Sequence, residues 1–334
     1  MDYYCSQKFT DLQVHVQGRL LYNCCKAYPE RVDLDWLEAN PGKLFHTDTM
    51  LQDRELMLDN KSCASCHYGC YKYEEQGLPS VRQQYSNSEQ ISNPHAPLKD
   101  LSISLSTECN LTCMYCSPEW STSWYKDIEK NGDYILDGVT VKQNDNWSVL
   151  WNKMKQKARS TESRFFKLLL REIQINKELQ TISILGGDQL LDSVQDKKIN
   201  IVTGLGVNNN RLQRILDKIK GKDVAFSISA ESTGEIFELI RYGVKWEDFH
   251  QRILMIKNNG NKIKFNSTIS NLSVLGFIDF YEMFHSEHDI QLNTLTDCDW
   301  MMPHVLDPQS KKEFSTCSKH LHNSPQVNAI LGMI

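Results

Sequence analysis

The run Cys109-Asn-Leu-Thr-Cys-Met-Tyr-Cys116 and the stretch before it, Leu101-Ser-Ile-Ser-Leu-Ser106, predict the fold of the chain. The stretch alternates apolar and polar residues, which indicates a β-strand, so the cysteines lie on the loop after a strand. Three thiolates at this spacing can hold three corners of a 4Fe–4S cluster, whereas four thiolates normally close such a cluster. The fourth iron keeps an open coordination position, which is typical of a site that does chemistry. Half of a zinc site, or three incidental thiols, is the alternative for this loop alone.

The composition is that of an ordinary globular protein, with 40% hydrophobic and 24% charged residues in a chain of 334. This length holds one large domain, or a large and a small one. The net charge of −5 gives no general attraction to nucleic acid or to an anionic membrane, and no apolar run approaches the ~20 residues that span a bilayer. Eleven cysteines, with no signal peptide ahead of them, indicate metal or redox use in a reducing compartment, so we expect a cytoplasmic protein.

The chain divides near residue 95, where the polar stretch Tyr85–Pro97 contains two prolines and is typical of a linker. We therefore expect an N-terminal module over residues 1–95 and a second domain over residues 96–334. In the second domain, short apolar strands alternate with helical stretches, which predicts an α/β fold with a parallel sheet covered by helices. The predicted strands are Leu101–Ser106, Thr181–Leu185, Asn200–Thr203, Val224–Ser229, Lys262–Ser267 and Asp289–Leu292. Six such units fit an incomplete (β/α) barrel better than one of eight, although periodicity alone does not exclude a doubly wound sheet.

Helical stretches lie between these strands. The sequence predicts helices at Arg211–Lys220, Trp246–Asn258 and Ile278–His285 and, in the long connection from Ser121 to Gln180, at Trp147–Lys157 and Phe165–Ile175. The basic residues of this connection, from Lys153 to Arg164, could bind an acidic substrate, but a solvated helix face explains them more simply.

The N-terminal module carries its own cysteines. Apolar residues alternate with polar ones over residues 11–17, and a second apolar stretch leads into Cys24-Cys25, which predicts a β-hairpin that ends in a cysteine pair. The motif Cys63-Ala-Ser-Cys66 follows, and then Cys70. A Cys-x2-Cys motif is common to zinc knuckles, redox dithiols and iron–sulfur sites, so the motif alone does not identify the site. Two further thiols have the character of ordinary buried cysteines, namely Cys298 and Cys317.

In its spacing, and in the aromatic Tyr115 before the last cysteine, the run Cys109–Cys116 resembles the Cys-x3-Cys-x-aromatic-Cys signature of radical S-adenosylmethionine (SAM) enzymes. In that family the amine and carboxylate of SAM chelate the open iron. The run Gly186-Gly187-Asp188, which follows the second predicted strand, resembles the Gly-Gly-Glu motif that holds the SAM amino group. Asp stands in place of Glu, and Gln189 stands where proline is usual. Taken alone, Gly-Gly-Asp is a plain turn.

Three later motifs resemble other SAM-binding positions of the same family. Ser229 and Glu231, at the end of the fourth predicted strand, stand where the ribose hydroxyls are bound. Arg241, in Ile-Arg-Tyr-Gly, stands where an arginine faces the SAM carboxylate, a role that suits a bidentate guanidinium. Thr203, before Gly204, takes the place of a Thr-Asn-Gly motif. Without the resemblance, helix capping and a surface arginine explain these residues.

Two more motifs narrow the resemblance to one subgroup, in which a twitch module (half of a SPASM domain) precedes the radical SAM barrel. They are Glu74…Ser80-x-Arg82 and, after the cysteine run, Cys116-Ser-Pro…Ser121-Thr-Ser-Trp124. In this subgroup the module holds an auxiliary iron–sulfur cluster. The resemblance assigns its ligands to Cys5, one of Cys24 and Cys25, Cys63 and Cys66, with Cys70 able to substitute for one of them. Zinc is the alternative metal.

The resemblance implies a partial (β/α)6 barrel and an enzyme that reductively cleaves SAM to a 5′-deoxyadenosyl radical, which abstracts a hydrogen atom from its substrate. It implies three cofactors, the 4Fe–4S cluster, SAM and the auxiliary cluster, and an electron donor such as flavodoxin or ferredoxin. Substrates of the wider group include ribosomal peptides and sugar-like small molecules, and we favour a peptide or protein. The competing hypotheses are a non-catalytic zinc or iron–sulfur metalloprotein for interaction or redox sensing, and radical SAM modification of a nucleic acid. The negative net charge of the chain disfavours a nucleic-acid substrate.

Overall fold

The computed structural model describes residues 2–24, 26–77, 80–86, 90–116, 120–132, 134–136, 139–141, 163–185, 189–194, 197–295 and 301–334. These residues form a mixed α/β fold with a sheet of nine strands. The strands of this sheet are β1 (Asp11–His15), β2 (Leu20–Tyr22), β3 (Glu30–Arg31), β4 (Asp100–Ser104), β7 (Thr181–Leu185), β8 (Lys198–Thr203), β9 (Val224–Ser229), β10 (Lys262–Ile269) and β11 (Asp289–Thr294). Two short strands, β5 (Tyr134–Leu136) and β6 (Val139–Val141), pair separately.

Helices connect most of these strands. They are α1 (Gln7–Thr10), α2 (Leu34–Ala39), α3 (Asp48–Leu58), α4 (Lys72–Glu75), α5 (Val81–Ser86), α6 (Thr122–Asn131), α7 (residues 163–175), α8 (Asn209–Ile219), α9 (Gly234–Ile240), α10 (Trp246–Asn258), α11 (Val274–Phe284), α12 (Pro308–Cys317) and α13 (Pro325–Met333). Helix α7 confirms the helix predicted at Phe165–Ile175, whereas the one predicted at Trp147–Lys157 lies outside the described residues.

The described residues divide into two compact units, one made of Met1–Ser106 and Asn152–Ile199 and the other of Thr107–Trp151 and Asn200–Ile334. In the first unit the strand order is β7-β4-β1-β2-β3, and in the second it is β11-β10-β9-β8. These units divide the chain differently from the expected boundary near residue 95, and the division into modules 1–95 and 96–334 stays a prediction.

The six strands predicted for the second domain are all present, and their ends shift by at most two residues. Strand β4 pairs in parallel with β7, and β10 pairs in parallel with both β9 and β11. Alternating burial explains these strands: along β10 every second side chain is buried, from Ile263 to Ile269. The predicted α/β fold with parallel, helix-connected strands is therefore confirmed.

The N-terminal hairpin is present, but it is part of the sheet. Strand β1 pairs antiparallel with β2, as the sequence predicts, with Val14 opposite Leu21. On its other side β1 pairs in parallel with β4, with Asp11 opposite Asp100. The hairpin thus extends the sheet of the first unit instead of forming a sheet of its own.

Helix α11 begins four residues before its predicted start at Ile278. The sequence does not predict helix over residues 274–277, because Gly276 has a low helix propensity. The structure uses this glycine for a close approach, since a Cβ at Gly276 would come within 2.9 Å of the Cβ of Ser232. Tight packing therefore outweighs the local preference at this turn.

Each unit has its own apolar core. In the second unit, fully buried phenylalanines lie on β9, β10 and three helices, and the rings of Phe265 and Phe280 are 5.1 Å apart in an edge-to-face arrangement. In the first unit, Ile103 of β4 and Ile182 of β7 are fully buried. Within the part of the chain that the structure describes, every helix is too short or too polar to cross a bilayer.

The burial of β4 predicts a difference between two isoleucines of the first unit. Ile103 is fully buried in β4, whereas Ile175, at the end of α7, is 45% exposed. We expect Ile103→Ala to lower the free energy of unfolding by about 2–5 kcal/mol, because the change leaves a cavity in the core. The same change at Ile175 should lower it by about 1 kcal/mol or less. Denaturant unfolding measures both values, and equal losses would contradict the position of β4 in the core.

Candidate metal centres

The three cysteines of the run Cys109–Cys116 lie on one loop of the second unit. Cys113 is buried, and Cys109 and Cys116 are half-buried. The main-chain N–H of Cys116 donates to the carbonyl of Cys113 at 2.9 Å, so these two residues share a tight turn. One short loop therefore carries three soft sulfur donors, the ligand type that iron–sulfur clusters use.

The start of helix α6 holds this loop through its side chains. Ser121 caps the helix by accepting from the N–H of Trp124 at 3.3 Å, and its Oγ donates to the carbonyl of Leu111 at 2.6 Å. The indole Nε1 of Trp124 donates to the carbonyl of Cys113 at 2.9 Å. The motif Ser121-Thr-Ser-Trp124 thus donates hydrogen bonds to carbonyl groups of the cysteine loop and fixes the loop against the helix.

Three glycines make room for Leu111, the buried apolar residue of the loop. A Cβ at Gly206 would lie 2.9 Å from the Cγ of Leu111, and a Cβ at Gly204 would lie 3.0 Å from its Cδ1. Gly243 has a φ of +114°, and a Cβ there would come within 2.8 Å of the Asn110 carbonyl oxygen. The φ of Gly243 favours glycine, and at all three positions a side chain would collide with the loop. These glycines therefore determine where the loop packs.

Main-chain hydrogen bonds join the loop to the segment after α9. The N–H of Thr112 donates to the carbonyl of Tyr242 at 2.9 Å, and the N–H of Met114 donates to the carbonyl of Ile240 at 3.0 Å. Arg241 lies between these two acceptors in the chain. It is therefore held directly beside the cysteine loop.

Arg241 and Glu231 form a buried ion pair under the cysteines, in which the carboxylate is fully buried and Arg241 is 5% exposed. The Nη2 and Nε of Arg241 donate to the two carboxylate oxygens at 2.6 and 3.1 Å, the bidentate geometry of a strong pair. The hydroxyl of Tyr115 also donates to Glu231, at 2.6 Å. The Nη1 of Arg241 lies 3.8 Å from the Sγ of Cys113. The structure thus brings together four residues that the sequence singled out.

Burial and charge act in opposite directions in this group. Burial lowers the pKa of Arg241, but the neighbouring groups, above all the carboxylate of Glu231, outweigh it, and the pKa lies well above its usual value. Burial raises the pKa of Tyr115 well above its usual value, which keeps the phenol a hydrogen-bond donor. Burial also raises the pKa of Cys113, and Arg241 opposes this shift. Arg241 therefore favours the thiolate of Cys113, the form that binds metal.

The remaining predicted SAM contacts are only partly described. Thr203 ends β8, and its Oγ1 accepts from the N–H of Leu205 at 2.9 Å. Ser229 ends β9 opposite Asn266. The site predicted to bind the SAM amino group lies outside the described residues. It consists of Gly186, Gly187 and Asp188. The SAM-binding roles of all these residues stay predictions.

The second group of thiols lies in the first unit and is called here the N-terminal cysteine cluster. Its members are all buried, with exposures of 7% or less: Cys5, Cys24, Cys63, Cys66 and Cys70. Four of them, Cys5, Cys63, Cys66 and Cys70, belong to one buried core cluster of this unit. Cys25, the alternative to Cys24, lies outside the described residues.

A glycine in a π-helical turn (His67–Tyr71) allows part of this cluster to form. A Cβ at Gly69 would come within 2.1 Å of the carbonyl oxygen of Lys26, so the two main chains touch. The N–H of Lys26 in turn lies 3.4 Å from the Sγ of Cys24 and donates to it. This close approach brings the segment after Cys24 against the turn that ends at Cys70.

Ionised side chains lie beside these thiols. The Nζ of Lys8 is fully buried and donates to Asp53 at 2.8 Å and to Asn23 at 2.6 Å. Arg82, also buried, pairs with Glu74 and donates to the carbonyl of Tyr4 at 2.8 Å. The motif Glu74…Ser80-x-Arg82 is thus joined, because the hydroxyl of Ser80 donates to the same carboxylate. Sequence reasoning missed Lys8 and Asp53, which no motif connects.

The electrostatics of the thiols show that they are neighbours. Burial raises the pKa of Cys5, to about 12, and that of Cys70, and Cys24 adds to both shifts. The hydrogen bond between Cys63 and Cys66 lowers the pKa of Cys63 and raises that of Cys66, and Cys24 adds to the latter shift. Cys24 therefore lies within electrostatic reach of three other thiols, and Cys63 is the thiol most readily ionised.

Buried, clustered thiols fit an iron–sulfur cluster, since such clusters are held by cysteine thiolates in a largely apolar surround. Across the described ranges, no group of three or more Cys, His, Asp or Glu side chains is placed to hold a single metal ion. Cysteine thiolates are the donors that both zinc sites and iron–sulfur clusters use, so the donor type is common to the two candidate metals.

A scan against protein-family models finds no match for this sequence, and a search of curated proteins finds none either. Among solved structures, the chain is similar to Streptococcus suis SuiB bound to S-adenosylmethionine, with 14% identity and a TM-score of 0.38 over 93% of this chain and 67% of that one. It is also similar to native anSMEcpe with bound AdoMet and Cp18Cys peptide, with 13% identity and a TM-score of 0.38 over 65% of this chain and 58% of that one. Likenesses at this level do not establish a family, so a function must be argued from the residues themselves.

The buried pair predicts a large loss of stability when its cation is removed. We expect Arg241→Met to lower the free energy of unfolding by about 3–5 kcal/mol, because Glu231 would keep a buried charge without its partner. Lys245→Met is the matched control: Lys245 pairs with Glu238, but its side chain is 73% exposed, so the loss should be much smaller than in Arg241→Met. Denaturant unfolding of the two variants measures the difference. Similar losses would contradict the burial of Glu231.

Proposed function

We propose that the chain is a radical SAM enzyme that carries an auxiliary iron–sulfur cluster and acts on a peptide or protein. The observation that carries the proposal is the single loop of three thiols, held by α6 and by Leu111, beside a buried arginine–carboxylate pair. Three thiolates leave one iron of a 4Fe–4S cluster for another ligand. When bound, the cluster and SAM would supply the electron and the bond cleavage that start hydrogen-atom abstraction from an unactivated carbon.

The residues of the second unit would bind and orient these groups. Cys109, Cys113 and Cys116 would hold the cluster, and Tyr115 would stay in place through its hydrogen bond to Glu231. Arg241 would serve the carboxylate of SAM as well as its partners within the chain. A guanidinium has five N–H donors, and its bonds to Glu231 and to the Sγ of Cys113 leave others for the carboxylate of SAM.

Other contacts to SAM follow from the sequence motifs. Gly186, Gly187 and Asp188 would bind the amino group. The ribose hydroxyls would face Ser229, at the end of β9, with Thr203 at the end of the neighbouring strand β8. Glu231, which the motif also places there, is fully buried and accepts from Arg241 and Tyr115, so its part would be to hold Arg241 in position. Ligands of α/β sheets bind at the carboxyl ends of the strands, which supports this placement.

The N-terminal cysteine cluster would hold the auxiliary cluster through Cys5, Cys24, Cys63 and Cys66. Its buried thiols, and the lowered pKa of Cys63, support this assignment. If one of these four cysteines is not a ligand, Cys25 or Cys70 would take its place. When bound, this cluster would supply a site that takes up the electron left on the substrate. A one-electron donor such as flavodoxin or ferredoxin and a cytoplasmic, reducing location complete the proposal.

Reconstitution with iron and sulfide without oxygen, followed by spectroscopy with and without SAM, tests the proposal as a whole. A cluster signal that SAM perturbs supports it. A signal that SAM leaves unchanged, or bound zinc in place of iron, would favour a non-catalytic metalloprotein.

We expect Cys113→Ala to abolish reductive cleavage of SAM, because the cluster cannot assemble without one of its three thiolates. Cys317→Ala is the matched control, since Cys317 is an exposed thiol at the end of α12. Its predicted burial was wrong, because the face of α12 that packs inward carries Phe314 instead, and Cys298 lies outside the described residues. The measurement is the formation of 5′-deoxyadenosine after reduction with dithionite. Formation at the parent rate in Cys113→Ala would show that the three-cysteine loop does not hold the cluster.

The auxiliary cluster predicts the iron content of a second variant. We expect Cys63→Ala/Cys66→Ala to carry about half the iron of the parent, because each 4Fe–4S cluster holds four irons. The variant should still cleave SAM, while turnover of the true substrate should fail. Single changes at Cys24, Cys25 and Cys70 would identify the remaining ligand. An unchanged iron content would refute the auxiliary cluster and leave the radical SAM proposal standing.

A further inference from the structure

Lys8 is a fully buried cation among the thiols of the N-terminal cysteine cluster, and the proposed function gives it no role. We propose that Lys8 raises the reduction potential of the auxiliary cluster, by holding a positive charge beside Cys63 and Cys66. The inference rests on the auxiliary cluster of the proposed function. It goes beyond that function because it assigns the tuning of the cluster to a residue that is not a ligand.

The ammonium of Lys8 is held in one position. Its Nζ donates to Asn23 at 2.6 Å, to Asp53 at 2.8 Å and to the Oγ of Ser65 at 2.5 Å. An ammonium has three donors, so these bonds use all of them. Asp53 also accepts from Asn23 at 3.3 Å and from the hydroxyl of Ser65. The four side chains therefore form a closed network that fixes the charge.

This network reaches the thiols directly. Ser65 lies between the two cysteines of the Cys-x2-Cys motif, and its Oγ is 3.8 Å from the Sγ of Cys63. Ser65 thus joins the ammonium of Lys8 to the thiol of Cys63 through two contacts.

Stability alone does not explain a lysine at this depth. Lysine is almost never fully buried unless it is paired, and a buried ion pair usually stabilises a fold no more than apolar residues of similar size. A cluster changes this balance, since its thiolate ligands bring several negative charges into the same apolar region. One-electron reduction adds another negative charge. A fixed cation nearby favours the reduced form and so raises the potential, because net charge and hydrogen bonds around the sulfurs set the potential of such clusters.

The test uses the full chain with Cys109, Cys113 and Cys116 changed to Ala, so that only the auxiliary cluster contributes to the signal. Lys8→Met removes the charge and keeps an unbranched chain of similar length. Asp53→Asn removes the opposing charge. Lys61→Met is the control, because Lys61 is 62% exposed and pairs with Asp59 at the surface. Each variant is titrated potentiometrically and followed by electron paramagnetic resonance, with iron and zinc measured in the same samples.

We expect shifts of opposite sign. At a given ambient potential, Lys8→Met should lower the ratio of reduced to oxidised cluster by about tenfold, which is ~59 mV for a one-electron couple. Asp53→Asn should raise this ratio, and Lys61→Met should leave it unchanged. A residue that only supports the fold would not give shifts of opposite sign, since both substitutions would disturb the same network.

An unchanged potential in Lys8→Met, or a shift of Asp53→Asn in the same direction, would overturn the proposal. If Lys8→Met assembles no cluster, Asp53→Asn decides: a raised ratio supports the charge effect, and an unchanged or lowered ratio overturns it. If the protein with only the three Cys→Ala changes binds zinc, or no metal at all, the auxiliary cluster is refuted. The proposed effect of Lys8 on its potential is then refuted as well. Iron content therefore distinguishes the two failures.

Discussion

The second unit depends on one constraint, the compensation of a carboxylate that no water reaches. Glu231 is fully buried, and a buried carboxylate without partners is very unfavourable. Arg241 and Tyr115 supply three hydrogen bonds to it. Arg241 can do so only from a segment whose neighbours, Ile240 and Tyr242, bind the main chain of the cysteine loop. The need to neutralise one charge thus determines where the three thiols lie.

The two thiol groups share a physical solution with different side chains. Thiolates in an apolar region need nearby positive charge, and each group has a buried cation beside a thiol: Arg241 beside Cys113 and Lys8 beside Cys63. The guanidinium suits the first position, since its planar fork pairs with a carboxylate while one edge reaches sulfur. The ammonium of Lys8 is a compact charge that three oxygen atoms can hold.

Much of the fold could be predicted from the sequence, because period-two alternation is a local signal. It identified β7 and β9 to the residue and the hairpin of β1 and β2. It could not show that β1 pairs with β4, since two adjacent strands with apolar faces have many possible partners.

The candidate sites were predictable only where a motif marks them. Cysteines at fixed spacings indicated both thiol groups. Lys8 and Asp53 are 45 residues apart and look like ordinary surface charges in the sequence. Only the fold shows that they are buried together. The role of Gly69 was not predictable either, because it depends on the carbonyl of Lys26 in a distant segment.

The pairing of β1 with β4 has a consequence for how the protein is made. Residues 11 and 100 are opposite each other, so β1 has no partner on that side until the ribosome has synthesised β4. All the thiols of the N-terminal cysteine cluster precede β4 in the chain, and synthesis takes seconds over such a length. During that interval the nascent segment lacks the sheet that supports its hairpin. Until β4 has been made, these thiols therefore belong to a segment without its supporting sheet, and they are open to oxidation for that time.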